Sequence, residues 1–326
     1  MKKFGFFFLL FSTLLLALDQ GGAWVLDRLH ERVVLGQRDG LLITYLRLPD
    51  LPQLVVLGNS RTAVNVCPDS LPGAFSLAHN GTTQVFQTGL LSVLHQQQRL
   101  PPAILLHIDL DEYIRPTRAE DIHLLKYYYG QAPLVTAYSR EASWLEPLKQ
   151  CFGLYRHNGR IPGLLRNWYM QRRHPDQPLN QGYEPSVPAA ADSLRTAYSL
   201  AKLNAESGQL NRGHLRYLQD FVQLCQQQNV RLICFTNSYY QQPHHVAAAG
   251  RLVDSLLQRA QVPYLNYASQ PIAELSHNIG YWRDATHLNT RGIPLNSQVL
   301  ARQVSDLLPP TGLRAEIPTL DDIAKP

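Results

Sequence analysis

The sequence predicts an α/β protein whose parallel β-sheet is covered by helices on both faces. The 326-residue chain is 45% hydrophobic and 17% charged, which is enough apolar material for one large core. About five short apolar runs have the continuous hydrophobicity of strands that are buried on both faces. Helical patterns stand between several of these runs, and strands that alternate with helices form parallel sheets.

The N-terminus carries an export signal or a membrane anchor. Two lysines precede an uninterrupted apolar stretch from Phe4 to Leu18, and hydrophobicity resumes at residues 21–26. The stretch is shorter than the roughly 20 residues of a full span, so residues 1–26 are either a cleaved signal peptide or a retained anchor. The positive-inside rule holds the lysines in the cytoplasm. The rest of the chain is therefore expected in the periplasm or at the cell exterior, and is secreted if the signal is cleaved.

The rest of the chain divides into three parts. Residues 27–52 are interpreted as a stalk or approach segment that ends at two prolines. Residues 53–308 are interpreted as the α/β domain, and residues 309–326 as a tail. Within the domain, residues 113–210, approximately, break the regular pattern and are interpreted as a mostly helical insertion, either a lid or a plain decoration. The expected strands are residues 54–57, 75–78, 103–108, 230–235 and 262–265, and residues 213–227 and 247–260 are expected helices.

Composition excludes several classes of partner and cofactor. The formal charge of +5 is spread along the chain, without a basic stripe interleaved with aromatics, so no nucleic-acid partner is expected. No C-x-x-C motif, zinc spacing or Gly-rich phosphate loop occurs in the sequence, and no metal or other cofactor is expected. Of the four cysteines, Cys225 and Cys234 are expected to be buried and inert.

Ser60 is the first candidate for chemistry. The turn Gly58-Asn59-Ser60-Arg61 directly follows the first apolar run, which places Ser60 at the carboxyl end of a strand and near the start of a helix. Open parallel sheets bind ligands at this edge, and backbone N–H groups of a helix start stabilise an oxyanion. By itself a Gly-Asn-Ser sequence is typical of a plain turn.

A base for such a serine stands late in the chain. Asp284 and His287 lie three residues apart in a loop that enters the last predicted helix. This offset lets the carboxylate reach one imidazole nitrogen and leaves the other free for Ser60. An isolated pair of this kind is more often a helix-capping aspartate and a surface histidine, so the combination with Ser60 carries the prediction.

Together these motifs resemble the SGNH (GDSL-like) hydrolase superfamily. Within it the chain is similar to the membrane-anchored envelope branch that includes the teichoic-acid D-alanine transfer and alginate O-acetylation proteins. The resemblance implies a three-layer α/β/α flavodoxin-like fold, with Ser60 as nucleophile and Asp284 and His287 as its catalytic pair. It extends over residues 20–308, and specific motifs support its beginning and its end.

The middle motifs of the superfamily match less closely. Residues 78–82 resemble its glycine block, so Gly81 would offer a backbone N–H to the oxyanion and Asn80 a side-chain donor. The usual third-strand asparagine is replaced by carboxylates, beginning at Asp109, which cannot donate a hydrogen bond while ionised. Either Asn80 takes over this role or the oxyanion hole is reduced, and the loss of one donor typically costs about 100-fold in rate or more.

Two other polar groups are weaker candidates. Asp109, Asp111 and Glu112 have the character of a hard-metal site, but a solvated strand end or a structural role is expected. The pair His244-His245 is interpreted as a surface feature.

Two functions are consistent with these observations. The leading hypothesis is a membrane-tethered serine esterase or O-acyltransferase that acts on acylated envelope or extracellular glycans, or on another ester. The alternative is a non-catalytic envelope protein with the same fold that binds a membrane-bound O-acyltransferase or a glycan. A third explanation is a flavodoxin-like domain with a chance motif, in which Ser60 and His287 would lie far apart.

Overall fold

The computed structural model describes residues 2–114, 119–175, 181–205 and 209–308. Its centre is a five-stranded, all-parallel sheet with the strand order β2-β1-β3-β4-β5. This order is that of flavodoxin-like sheets, in which ligands bind at the carboxyl edge where the order reverses. The predicted α/β class with about five parallel strands is confirmed, and each strand lies within two residues of its expected position: β1 Leu54–Leu57, β2 Ala74–Ser76, β3 Ala103–His107, β4 Arg231–Thr236 and β5 Tyr264–Asn266.

Helices cover both faces of the sheet. Their bounds are α1 Lys2–His30, α2 Leu41–Leu46, α3 Ser60–Asn65, α4 Gln84–Gln96, α5 Pro133–Ala142, α6 Glu146–Lys149, α7 Ile161–Arg173, α8 Asp192–Ala205, α9 Leu215–Gln227, α10 Val246–Arg259, α11 Ala273–Ser276 and α12 Ile293–Leu307. The sheet has a hydrophobic core on each face, and alternate residues of a strand belong to different cores because successive side chains point to opposite faces. Val55 and Ile104 pack with residues of α4, α9 and α10, whereas Val56 and Leu105 pack with residues of α12.

The N-terminal helix α1 is, by length and composition, long and apolar enough to cross a membrane. It extends to His30, four residues past the expected end of the anchor. Its large apolar side chains between Phe4 and Leu18 are exposed, whereas Ala23 and His30 are buried against the insertion. The apolar half of α1 therefore lacks the protein cover that its second half has.

The segment predicted as a stalk or approach segment packs against the domain. Residues 41–46 form α2, and Leu42, Ile43 and Tyr45 belong to the larger core. The Tyr45 hydroxyl donates to the backbone oxygen of Arg99. The sequence of α2 is apolar on most sides, as expected for a helix that is buried rather than one that lies in solvent.

The described residues of the insertion are mostly helical. Residues 119–128 form 3₁₀ turns, and α5, α6, α7 and α8 follow. The turn after α6 packs against α1, and Asn167 of α7 donates to the Leu35 backbone oxygen. Residues 181–186 contact α3 and the loop before α12, where Glu184 N donates to Ala63 O and Thr290 N donates to Ser186 O. The predicted tail, residues 309–326, lies outside the described residues.

Candidate active site

Ser60 stands at the carboxyl edge of the sheet, as predicted. Strand β1 ends at Leu57, and Ser60 is the first residue of α3. Asn59 caps this helix, since its side-chain oxygen accepts from the backbone N–H of Arg61 at 3.0 Å. The N–H of Ser60, at the first helical position, has no acceptor within the helix and is available to a ligand.

The turn before Ser60 requires glycine. A Cβ at Gly58 would stand 2.7 Å from the His107 Cβ of the neighbouring strand and would also collide with the Thr62 hydroxyl. The Gly58 oxygen accepts from His79 N at 2.9 Å and from the Gln87 amide at 3.0 Å. Close contact on both sides therefore fixes the path of the chain from β1 into α3.

Asp284 and His287 lie in a tight loop before α12. An antiparallel bridge between Trp282 and Leu288 closes this loop, and Arg283 N donates to His287 O at 2.8 Å. The Asp284 Oδ1 accepts from the backbone N–H of Thr286 and of His287. The carboxylate is thus fixed by the backbone of its own loop before it meets the imidazole.

The three predicted residues form a hydrogen-bonded chain. His287 Nε2 lies 3.0 Å from Ser60 Oγ, and His287 Nδ1 lies 2.9 Å from Asp284 Oδ2. This is the mutual geometry of a serine nucleophile, a histidine base and an orienting carboxylate. The structure therefore brings together segments 227 residues apart, and the explanation by a chance motif, which required them to lie far apart, is wrong.

Asn65 links the Ser60 helix to the loop that carries His287, and no motif in the sequence singles it out. Its Nδ2 donates to Thr286 O at 2.9 Å, and its Oδ1 accepts from Leu288 N at 2.8 Å. These two backbone groups flank His287. Since Ser60 begins α3 and Asn65 ends it, one six-residue helix positions both the hydroxyl and the imidazole.

The Asp284 carboxylate is held in its charged form. Burial by itself would raise its pKa, but the hydrogen bond and charge of His287, together with the donors of Thr286, hold the pKa of Asp284 well below its usual range. An ionised Asp284 accepts the N–H of His287 Nδ1, so Nε2 carries the lone pair that faces Ser60.

The carboxylates of the third motif form a buried ion-pair cluster around Arg61. The Arg61 guanidinium lies 3.0 Å from Asp109, is paired with Asp111, and donates to the Tyr239 hydroxyl at 2.6 Å. Asp109 also accepts from the Asn59 amide at 2.6 Å. The cluster therefore ties the cap of the Ser60 helix to β3, which agrees with a structural role for Asp109 and Asp111.

His107 is a buried imidazole close to this cluster. Burial, followed by the charges of Arg61 and His287, lowers the pKa of His107 well below its ordinary value, so the ring is neutral. Its edge meets the Phe235 ring, and neither ring nitrogen has a hydrogen-bond partner among the described residues. A neutral ring here adds no positive charge beside the His287 base.

The glycine block, residues 78–82, contacts the turn before Ser60 through His79 N, which donates to Gly58 O, but its asparagine bonds to other residues. Asn80 Nδ2 donates to Glu184 Oε2 at 2.6 Å, and Asn80 N donates to the Gln37 side chain at 3.3 Å. Gly81 follows with a φ of +71° in an exposed turn. The Asn80 amide is thus bound to the insertion in this conformation, and the role of Gly81 and Asn80 as oxyanion donors stays a prediction.

The remaining candidates have structural contacts. Glu112 accepts from Gln84 N at 2.7 Å and lies 3.0 Å from His214 Nε2. His245 is not a surface residue as predicted, because it lies 3.7 Å from Asp111 and its side chain is largely covered, whereas His244 is exposed. Within the described ranges, no cluster of three or more metal-ligating side chains occurs.

The cysteines agree with the sequence-based expectation. Cys225 and Cys234 are buried, and burial raises the pKa of Cys225 to about 12. All four cysteines are free thiols, and Cys151 is exposed.

Comparison with solved structures shows a likeness in fold to a known protein. A solved structure from Bacteroides fragilis, described as that of "a putative acylhydrolase", has 12% sequence identity to this chain and a TM-score of 0.41. The likeness covers 81% of this chain and 93% of that one. No protein-family model and no curated protein matches the sequence. The activity is therefore inferred from the site itself.

Proposed function

We propose that this chain is a membrane-tethered serine esterase or O-acyltransferase that acts on acylated glycans of the cell envelope or exterior. The single observation that carries the proposal is the hydrogen-bonded chain from Ser60 Oγ through His287 to Asp284. The envelope substrate is suggested by the motif resemblance and by the apolar helix α1, which is a candidate anchor or signal sequence.

The first half of the proposed reaction forms an acyl-enzyme. Ser60 Oγ attacks the carbonyl carbon of the ester while His287 Nε2 takes the hydroxyl proton. The ionised Asp284 stabilises the imidazolium that forms. Collapse of the tetrahedral intermediate breaks the ester C–O bond, and the imidazolium returns its proton to the departing alcohol oxygen. The acyl group then remains on Ser60 as an ester.

The second half repeats these steps with a new nucleophile. His287 deprotonates water in an esterase, or a sugar hydroxyl in a transferase, and the incoming oxygen displaces Ser60 from the acyl group. The proton on His287 returns to Ser60 Oγ, which restores the starting state. The two activities use the same residues and differ in the acceptor.

Developing negative charge on the carbonyl oxygen needs hydrogen-bond donors. The proposed donors are the backbone N–H groups of Ser60 and Gly81. Ser60 N lies at the first position of α3, where it has no helical acceptor. Asn80 Nδ2 donates one hydrogen to Glu184 at 2.6 Å, so only its second hydrogen is left to serve as a third donor. Because each donor is typically worth about 100-fold or more in rate, the direction of that second hydrogen would change the activity.

The engagement of Asn80 also favours one competing function. A protein of this fold with a reduced oxyanion hole could instead bind a glycan or a membrane-bound O-acyltransferase without catalysis. Asp109 at the third motif supports this alternative, since it is held by Asn59 and Arg61 and offers no donor.

A serine-directed fluorophosphonate probe separates these functions. Full-length protein in detergent is expected to be labelled, and labelling should be lost in Ser60→Ala and strongly slowed in His287→Ala. Ser199→Ala is the matched control, because Ser199 Oγ accepts from Ala285 N in the loop that carries the base but lies outside the triad. An enzyme also releases acyl groups from an acetylated glycan, or transfers them. An unlabelled but folded wild-type protein would favour the binding protein instead.

A further inference from the structure

The uninterrupted apolar stretch of α1, which ends at Leu18, is shorter than the hydrocarbon core of a bilayer, so a span must also use the residues that follow it in the helix. From Lys3 to Leu18 the helix rises by 15 residues, which at 1.5 Å each gives about 23 Å. The hydrocarbon core of a bilayer is about 30 Å thick. The missing distance of about 7 Å corresponds to roughly five residues, which are residues 19–23. If α1 spans the membrane, this part of the helix lies at the boundary between acyl chains and headgroups.

The insertion packs against α1 at this level. We define the anchor-side turn as residues 144–154. The carboxylate of Asp19 accepts from Gly153 N at 2.6 Å and from Leu154 N at 3.1 Å. A Cβ at Gly153 would lie 2.7 Å from the Ala23 Cβ. These close contacts hold the anchor-side turn at a fixed height along α1, next to the residues that complete the span.

The exposed side chains of the anchor-side turn are apolar and aromatic. Trp144 is 83% exposed, Leu148 is 62% exposed and Phe152 is 50% exposed, and they recur at every fourth position. Leu148 and Phe152 line a cavity of about 490 Å³ together with Asp19, which places them beside the helix. Exposure of this apolar surface to water is unfavourable, whereas contact with acyl chains is not.

Polar groups in the anchor-side turn agree with an interface rather than with the hydrocarbon core. The Glu146 carboxylate is buried and accepts from the Tyr155 hydroxyl at 3.0 Å. The Lys149 ammonium is partly exposed, 3.9 Å from Glu146 and over the Tyr155 ring. Aromatic residues and snorkelling lysines are typical of the headgroup level of a membrane.

We propose that the anchor-side turn is a membrane-docking surface, and that Trp144, Leu148 and Phe152 insert into the headgroup and acyl-chain boundary of the lipid bilayer that α1 crosses. This inference rests on the membrane tether of the proposed function but not on its catalysis. Docking would fix the orientation of the α/β domain relative to the membrane. The Ser60 site would then stand at a constant height above the lipid, rather than moving on a flexible tether.

The exposed thiol of Cys151 lies inside the anchor-side turn and permits a direct test. Full-length protein with Cys67→Ser carries a nitroxide label on Cys151, because Cys225 and Cys234 are buried. It is reconstituted in phosphatidylcholine vesicles, and the accessibility of the label to oxygen and to a water-soluble nickel chelate is measured. The control label is Gln258→Cys in a Cys67→Ser, Cys151→Ser background, on the exposed side of α10.

The ratio of oxygen to nickel accessibility should be several-fold higher for Cys151 than for the control. Trp144→Ser, Leu148→Ser and Phe152→Ser together should lower it to the control value. A matched triple variant, Val187→Ser, Leu194→Ser and Tyr198→Ser, removes equally exposed apolar groups elsewhere and should leave it unchanged. A Cys151 label as accessible to nickel as the control, in protein that floats with the vesicles, would overturn the proposal.

The same experiments distinguish failure of the docking proposal from failure of the membrane anchor or of the catalytic proposal. Protein that does not float with the vesicles would show that α1 is not an anchor, and the docking proposal would fall with it. Normal docking combined with no fluorophosphonate labelling would refute the catalytic proposal and leave the membrane-docking surface intact.

Discussion

Replacement of Asn65 should separate the positioning of the base from the presence of the nucleophile. The Asn65 amide donates to Thr286 O at 2.9 Å and accepts from Leu288 N at 2.8 Å, on either side of His287. Asn65→Ala leaves both backbone groups without these partners. A buried group that loses its partner costs about 1–3 kcal/mol, so we expect a loss of about 2–4 kcal/mol in the free energy of unfolding.

The effect on catalysis should exceed what stability alone explains. Ser60, Asp284 and His287 all remain, but the loop is free to move away from α3. A displacement of about 1 Å in a catalytic group can reduce the rate on the order of 100-fold. Hydrolysis of p-nitrophenyl acetate by full-length protein, measured well below the unfolding temperature, should therefore show a kcat lowered by about 100-fold with a nearly unchanged KM.

Asn167→Ala provides the matched control. Asn167 belongs to the insertion and does not contact Ser60, Asp284 or His287, and its Nδ2 donates to Leu35 O at 3.1 Å. This variant should lose about 1 kcal/mol of stability and keep its kcat. The reasoning is refuted if Asn65→Ala folds with a wild-type kcat, because the amide would then not position His287.

Three further outcomes follow from the Arg61 ion pair, from the close packing at Gly58 and from the buried Glu112 and His214. Arg61→Met removes the cation that faces Asp109 at 3.0 Å and should lower the free energy of unfolding by about 3–5 kcal/mol in chemical denaturation, and unchanged stability would contradict the ion-pair account. Gly58→Ala forces β1 and β3 apart at a 2.7 Å contact and should slow fluorophosphonate labelling without removing Ser60, so a wild-type labelling rate would argue against this close packing. Burial raises the pKa of Glu112 above 4.5 and lowers that of His214 from 6.5 to about 4. Between pH 4 and 6.5 the unfolded histidine binds a proton that the folded imidazole of His214 does not, so the contribution of His214 to stability rises with pH in this range. Above pH 4.5 the unfolded carboxyl of Glu112 releases a proton that the folded one keeps, so the contribution of Glu112 falls as the pH rises. Denaturation of the Glu112→Gln, His214→Gln variant across pH should lack this dependence, and an unaltered profile would show that other groups cause it.

The strands and the triad could be predicted from the sequence because their signals are local. Continuous apolar runs mark strands that are buried on both faces, and short motifs after the first and the last of them contain Ser60 and the pair of Asp284 and His287. The bounds of the strands shift by one or two residues, since hydrogen bonding rather than hydrophobicity decides where pairing begins.

Other features depend on contacts between distant segments. Asn65 is an ordinary helical asparagine until the fold places residues 286–288 beside it. His245 has a carboxylate neighbour only because α10 packs near the end of β3, and α2 is buried only because the sheet presents an apolar face to it. No short motif indicates such contacts between distant segments. The sequence alone therefore predicted a surface position for His245 and a stalk or approach segment for the residues that include α2.

The most direct test of the account is the detection of an acyl group on Ser60. Full-length protein is mixed with p-nitrophenyl acetate, quenched rapidly in acid and digested, and the peptide that contains Ser60 is analysed by mass spectrometry. The account predicts that this peptide carries one acetyl group, which is absent in Ser60→Ala. An unmodified Ser60 peptide during turnover, or ester cleavage that persists in Ser60→Ala, would contradict it.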